Sequence, residues 1–192
     1  MKISPREADR FAAKPDPKVV AVLVYGPDTG LVRERIKTMM KTVVDDLADP
    51  FRIAELSDSD LKSDPARLSD EAASIAMLGG RRVVRVRGAA DGLSKTFESF
   101  LGSPAGDALV LVEAGDLGPR SSLRSLFEGA ANAAAIACYA DNTEALEGVI
   151  RQRLAANGLA PEPAALEYLL ENLGSDRGVT QSELEKLVLY MG

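Results

Sequence analysis

The run Val19-Val20-Ala21-Val22-Leu23-Val24-Tyr25 is continuously apolar and rich in β-branched residues. A strand with one wet face alternates apolar and polar residues, so a run without alternation marks a strand buried on both faces of a parallel sheet. Pro27, Asp28 and Gly30 then punctuate a turn. Leu31, Ile36, Met39, Met40 and the apolar positions of 43–47 recur at helical spacing in a charged segment, which predicts a long amphipathic helix directly after the turn. Parallel strands cannot be joined by hairpins, so this strand-loop-helix unit commits the chain to helical crossovers.

The alternation repeats. Strands are predicted at 51–56, 82–86, 108–112 and 133–139, with helices at 65–76, 93–101 and 122–129 between them. The expected fold is α/β: a mainly parallel five-stranded sheet with flanking helices, of the P-loop-like kind. At 141–143 the pattern changes, and every later apolar repeat is helical. Helices are predicted at 144–156, 162–173 and 180–190, with Gly158 and Gly174 ending the first two. A chain of 192 residues can hold two modest cores, so the expected domains are 1–140 and a small helical one at 141–192.

The formal net charge is −6, so the molecule as a whole repels phosphate backbones and a nucleic-acid binder would need a localised basic face. Arg81, Arg82, Arg85 and Arg87 form the densest basic run, but alternation along a strand is expected to send half of them to each face, as a solvated strand rim. The absence of His excludes His-based triads and most zinc sites, and the single Cys138 lies in an apolar run where it behaves as a small core residue. There is no signal-peptide h-region and no apolar run near the ~18 residues that a bilayer span needs, so a cytoplasmic protein without a membrane partner is expected.

The sharpest local feature is Gly26-Pro27-Asp28-Thr29-Gly30-Leu31-Val32-Arg33, between a buried strand and a long helix. A phosphate-binding loop at such a place follows G-x-x-x-x-G-K-[ST], where amides cradle phosphates, Lys pairs with the terminal phosphates and the hydroxyl ligates magnesium. Counting from Gly26 puts Leu31, Val32 and Arg33 at the last three positions; taking Gly30 as the second glycine puts Leu31 and Val32 where Lys and Ser/Thr belong. Either way the cation and the metal-binding hydroxyl are gone, and they supply much of the positioning and charge neutralisation in phosphoryl transfer. The strand at 108–112 ends in Glu113-Ala114-Gly115-Asp116, without the paired Asp-Glu of a magnesium-binding strand. Arg33 is open to two readings: a substitute phosphate ligand, or a helix-surface arginine beside Glu34. No catalytic residue, cofactor or metal is expected.

With these residues in view, Val22-Leu23-Val24-Tyr25-Gly26-Pro27-Asp28-Thr29-Gly30-Leu31-Val32-Arg33-Glu34 resembles the opening signature of bacterial DNA polymerase III delta subunits. Glu183-Leu184-Glu185-Lys186-Leu187 resembles the Glu-Leu-x-Lys-Leu segment of that family's lid domain. The resemblance covers essentially the whole chain. It implies a degenerate AAA+ ATPase-like domain and a helical lid, with the family's C-terminal collar absent, so that a fragment or truncated product is expected.

The resemblance also implies the activity: binding the ring-shaped sliding clamp and opening it for loading onto DNA during replication, as a non-catalytic subunit of the DNA-directed DNA polymerase (nucleotidyltransferase) holoenzyme. The family's contact is a short apolar wedge, and the matching segment here is Ser74-Ile75-Ala76-Met77-Leu78-Gly79-Gly80. Met77 and Leu78 occupy the two wedge positions, flanked by Ile75 and Gly79; Leu78 departs from the aromatic often found there. An exposed apolar pair at a glycine-backed helix end can gain roughly 1.5–3 kcal/mol per side chain in a partner's pocket. The residues alone leave open that Met77 and Leu78 are instead the last core-facing positions of the helix. Implied partners are the clamp (beta subunit), the gamma/tau ATPase subunits, delta prime, and primer-template DNA through the assembled loader; this chain alone is expected to be monomeric. Two rivals remain: an active P-loop NTPase using Arg33, Glu113 and Asp116, and a direct DNA-binding module using the arginine run.

Overall fold

The computed structural model of the chain describes residues 1–76, 79–139, 143–174 and 176–191. Its contacts divide into two compact units, one of Met1–Gly26 with Val32–Cys138 and one of Pro27–Leu31 with Tyr139–Gly192. The positions where the sequence reading changes domain, 140–142, lie outside the described residues.

The first unit is built on a six-stranded, wholly parallel sheet in the order β1-β6-β2-β5-β4-β3. Its strands are β1 (Lys2–Ile3), β2 (Ala21–Tyr25), β3 (Ile53–Ser57), β4 (Val83–Ala89), β5 (Leu109–Ala114) and β6 (Ala133–Ala137). The helices are α1 (Pro5–Ala13), α2 (Thr29–Lys41), α3 (Asp58–Ser63), α4 (Arg67–Ala73), α5 (Ser94–Gly102) and α6 (Ser122–Gly129), with a 3-10 turn at Asp91–Leu93. All five residues of β2 are buried, as the unbroken apolar run requires. Residue parity splits the sheet into two faces. Leu23, Tyr25, Val84, Val86, Val110 and Val112 share one cluster with Phe97, Phe100, Leu123 and Phe127. Val22, Val24, Leu109 and Leu111, of opposite parity, are buried too.

The expected α/β class holds, but the strand count is six rather than five, because the residues ahead of Val19 add the short edge strand β1, followed by α1. The missed signal is Ser4-Pro5-Arg6-Glu7: Pro5 at the first helical turn, with Ser4 Oγ donating to Glu7 Oε2 at 2.6 Å. Helix α2 stops at Lys41 rather than 47, where the Thr42 hydroxyl donates to the Met39 carbonyl and 3-10-type bonds tighten the end. The helix expected at 65–76 is α4 alone, shorter at both ends and finished at Ala73. Helix α3 ahead of it was not predicted; it starts in a capping box in which Ser57 Oγ accepts from the Asp60 amide and Asp60 accepts from the Ser57 amide.

In the second unit α7 (Thr143–Ala155), α8 (Pro163–Asn172) and α9 (Arg177–Met191) bury Leu146, Ile150, Leu154, Leu166 and Leu184 against one another. Gly158 ends α7 with φ 74°, and the Leu159 amide reaches back 2.9 Å to the Leu154 carbonyl, a left-handed cap. Among the described residues no helix is long and apolar enough to cross a membrane.

Phe97 and Phe127 meet edge to face at 5.3 Å in the centre of the first unit's core. Phe97→Ala is expected to cost about 3–5 kcal/mol of unfolding free energy in urea titration. The N-terminus of α6 supplies a pH prediction. Asp91 Oδ1 accepts from the Ser121 hydroxyl and the Leu123 amide, and these bonds hold its carboxyl below the usual range. A folded-state pKa below the unfolded one means stability that is complete above the ordinary Asp value, about 3.9, and is lost as pH falls through the lower folded value. Melting temperature measured against pH should therefore fall less steeply on the acid side in Asp91→Asn than in the wild-type chain.

Candidate functional site

The turn after β2 keeps the outline of a phosphate-binding loop and fills it differently. Gly26 leaves the strand at φ 148°, and a Cβ there would lie 1.9 Å from the Cys138 carbonyl oxygen. Gly26 is thus required by the backbone that follows the neighbouring strand. Leu31 and Val32, at the positions of the phosphate-pairing and metal-binding residues, are buried aliphatic side chains. Arg33 is exposed on α2.

Helix α2 begins with free amides, which in a nucleotide-binding loop point at phosphate. In the second unit, to which residues 27–31 belong, two carboxylates meet them. Asp28, only 2% exposed, accepts from the Leu31 amide at 2.8 Å and from the Arg177 amide at 3.1 Å. Asp176 Oδ2 accepts from the Gly30 amide at 3.1 Å and the Thr29 hydroxyl at 3.2 Å, while its Oδ1 accepts from the amides of Gly178 and Val179 at 2.8 and 3.1 Å. The two carboxylates thus cap α2 and α9 reciprocally. Burial pushes the Asp176 carboxyl up, but the donors at Val179, Gly30, Thr29 and Gly178 outweigh it and hold the group below the usual range. Neither aspartate was singled out as a site residue in the sequence; the available signal was a carboxylate immediately ahead of each helix.

On the sheet face toward α2, charge runs across three strands. Arg85 of β4 donates to Glu55 of β3 at 3.2 Å and to Glu113 of β5 at 2.6 Å, and Arg87 donates to the same Glu55 at 2.8 Å. An open cleft of about 470 Å³ lies here, lined by Arg33, Ile36, Met40, Glu55, Arg85 and Glu113 among others. The arginine run therefore does not divide evenly between faces: Arg85 and Arg87 share Glu55, and Arg81 donates to the Asp107 carbonyl at 2.6 Å.

Arg82 does something the sequence reading missed. It is 8% exposed, and its guanidinium donates to the carbonyls of Phe51 and Glu71 and to the Glu71 carboxylate, at 3.1, 3.0 and 3.2 Å. It so caps the carboxyl end of α4 and ties it to the start of β3. Arg52 binds the Arg81 carbonyl at 2.9 Å and the Val43 carbonyl at 2.7 Å. These two side chains brace both ends of the segment from Ser74 to Arg81.

Met77 and Leu78, the expected wedge, lie outside the described residues. The flanks are described. Ile75 is 90% exposed, Ala76 is buried, and the Gly79 amide donates to the Ala76 carbonyl at 2.9 Å. Gly79 and Gly80 have φ 77° and 89°, and Gly79 faces open space. The segment does not continue a helix as expected: α4 ends at Ala73, and Ser74 is already extended. Phe51, 58% exposed, lies on the same braced rim through its carbonyl on Arg82 and was not singled out in the sequence.

No protein-family model matches the chain. A probable DNA polymerase III subunit delta of Rickettsia prowazekii is 27% identical over 173 residues, covering 90% of this chain and 51% of that protein. The Bacillus subtilis DNA clamp loader delta protein superposes with a TM-score of 0.67 at 20% identity, over 97% of this chain and 57% of that one. A gamma subunit-related DNA polymerase III protein of Thermotoga maritima gives 0.56 at 13% identity, over 94% of this chain and 57% of that one. These findings bear out the resemblance to delta subunits and the clamp-loader, AAA+-like fold. The chain spans about half the length of the curated relative it matches.

Arg82→Ala is expected to leave the Phe51 and Glu71 carbonyls short of donors and to cost about 2–3 kcal/mol in urea titration. Arg87→Ala, whose partner Glu55 keeps Arg85, is expected to cost under about 1 kcal/mol.

Proposed function

We propose that this chain is the clamp-binding part of a DNA polymerase III delta subunit: residues 1–140 a degenerate ATPase-like domain, residues 141–192 a lid. It binds the sliding clamp and holds one interface of the ring open for loading onto DNA, without hydrolysing ATP. The observation that carries this reading is the braced apolar segment between α4 and β4. Ile75 stands almost wholly in solvent, two left-handed glycines follow, and Arg52 and Arg82 hold the ends. Exposed apolar side chains on an anchored, glycine-backed segment have no stabilising use within the chain and suit a partner's pocket. Met77 and Leu78 are the wedge, and Ile75 and Gly79 shape its base.

The ring's conformational equilibrium shifts only by the difference between this chain's affinities for the open and the closed ring. ATP chemistry belongs to the gamma/tau subunits, and delta prime and primer-template DNA join through the assembled loader. Two features favour this reading over an active NTPase: buried Leu31 and Val32 at the catalytic loop positions, and carboxylates on the loop's amides. Against direct DNA binding, Arg81, Arg82, Arg85 and Arg87 each donate to acceptors of their own unit.

Titration against the organism's sliding clamp tests the assignment. Met77→Ala with Leu78→Ala is expected to weaken binding by at least about 2 kcal/mol, roughly thirtyfold in Kd, with the fold intact. Equal affinity of the two chains would remove the wedge from Met77 and Leu78.

A further inference from the structure

We propose that Asp176 is the resident anion of the P-loop-like turn, its carboxylate standing where a nucleotide-binding loop holds phosphate oxygen and fastening the start of α9 to the start of α2 without any nucleotide. This does not depend on what binds the segment around Gly79. The donors are of the kind that phosphate uses: the amide of Gly30 and the hydroxyl of Thr29, at a helix N-terminus, both aimed at Asp176 Oδ2. The other oxygen is taken by α9's own first amides, so one group serves two helix dipoles.

The fit leaves no slack. A Cβ on Gly30 would lie 2.1 Å from the Gly178 nitrogen and 2.6 Å from Asp176 Oδ1, so Gly30 is there to let α9 approach. Asp28 completes the arrangement from the opposite side by holding the Leu31 and Arg177 amides. The depressed Asp176 pKa agrees with a carboxylate kept ionised by donors. A tethered anion competes at an effective concentration no free ligand matches unless that ligand brings strong contacts of its own. A phosphate would bring few, since Leu31 and Val32 replace the Lys and the hydroxyl that would hold it.

Amide hydrogen exchange on the whole chain, with inorganic pyrophosphate as probe, tests this. Asp176→Ala is expected to speed exchange at the Gly30 amide about tenfold. Pyrophosphate in large excess, which its few contacts make necessary, should restore protection in the variant and leave the wild-type chain unchanged. Unaltered exchange at Gly30 in the variant, or an equal pyrophosphate response in the wild-type chain, overturns the proposal. Faster exchange that pyrophosphate does not reverse reduces Asp176 to a helix cap and overturns it as well. If Asp176→Ala does not fold, Asp176→Asn keeps the shape and a carbonyl acceptor while dropping the charge, and is read by the same criteria.

Discussion

Strand β2 has no wet face and two neighbours, β6 and β5, so everything that leaves its carboxyl end does so in crowded space. The Gly26 amide bonds the Gly115 carbonyl, the Cys138 amide bonds the Tyr25 carbonyl, and no side chain fits at Gly26. That crowding fixes where the turn runs and therefore where α2 begins. A helix started so abruptly presents unpaired amides, and unpaired amides away from water need acceptors. In catalytic relatives of such a loop a substrate supplies them; here the acceptors are side chains of the same polypeptide.

The electrostatics of the first unit follow the same economy. In a chain of net charge −6, Arg82 and Arg85 turn inward, against carbonyls and carboxylates that lie within their own fold. Arg85 lies between Glu55 and Glu113, and a carboxylate at the end of β5 that could have held a cation is already neutralised by its neighbour. Positive charge that reads as a basic run along the sequence becomes internal bracing once strands are laid side by side.

Much of this was legible beforehand. An unbroken apolar run, helical apolar repeats after residue 143 and a glycine after one of them announced a strand buried on both faces, the helices of the second unit and the left-handed glycine at 158, because each shows as a pattern local in sequence. The aliphatic residues of the loop were equally plain, and Leu31 and Val32 are buried as such side chains should be. What stayed hidden depends on partners distant in the chain. Nothing near Arg82 announces that the Phe51 carbonyl will come to it, and nothing near Asp176 announces Gly30. The short strand β1 escaped because two residues carry no period, and α1 because it buries only Ala8 and Ala12 and so shows little apolar repeat.

The bracing of the Ser74–Arg81 segment has a mechanical side. Energy released on docking an apolar tip is spent first on whatever deforms most easily, and a floppy support would absorb it as lost loop entropy. Here Arg52 and Arg82 clamp the root of the segment to α4, to the start of β3 and to the start of β4, which pairs with β3 on one side and β5 on the other. The stiffness of a six-stranded sheet thus lies directly behind the exposed Ile75, so a load placed on that side chain would meet little give from the chain that carries it.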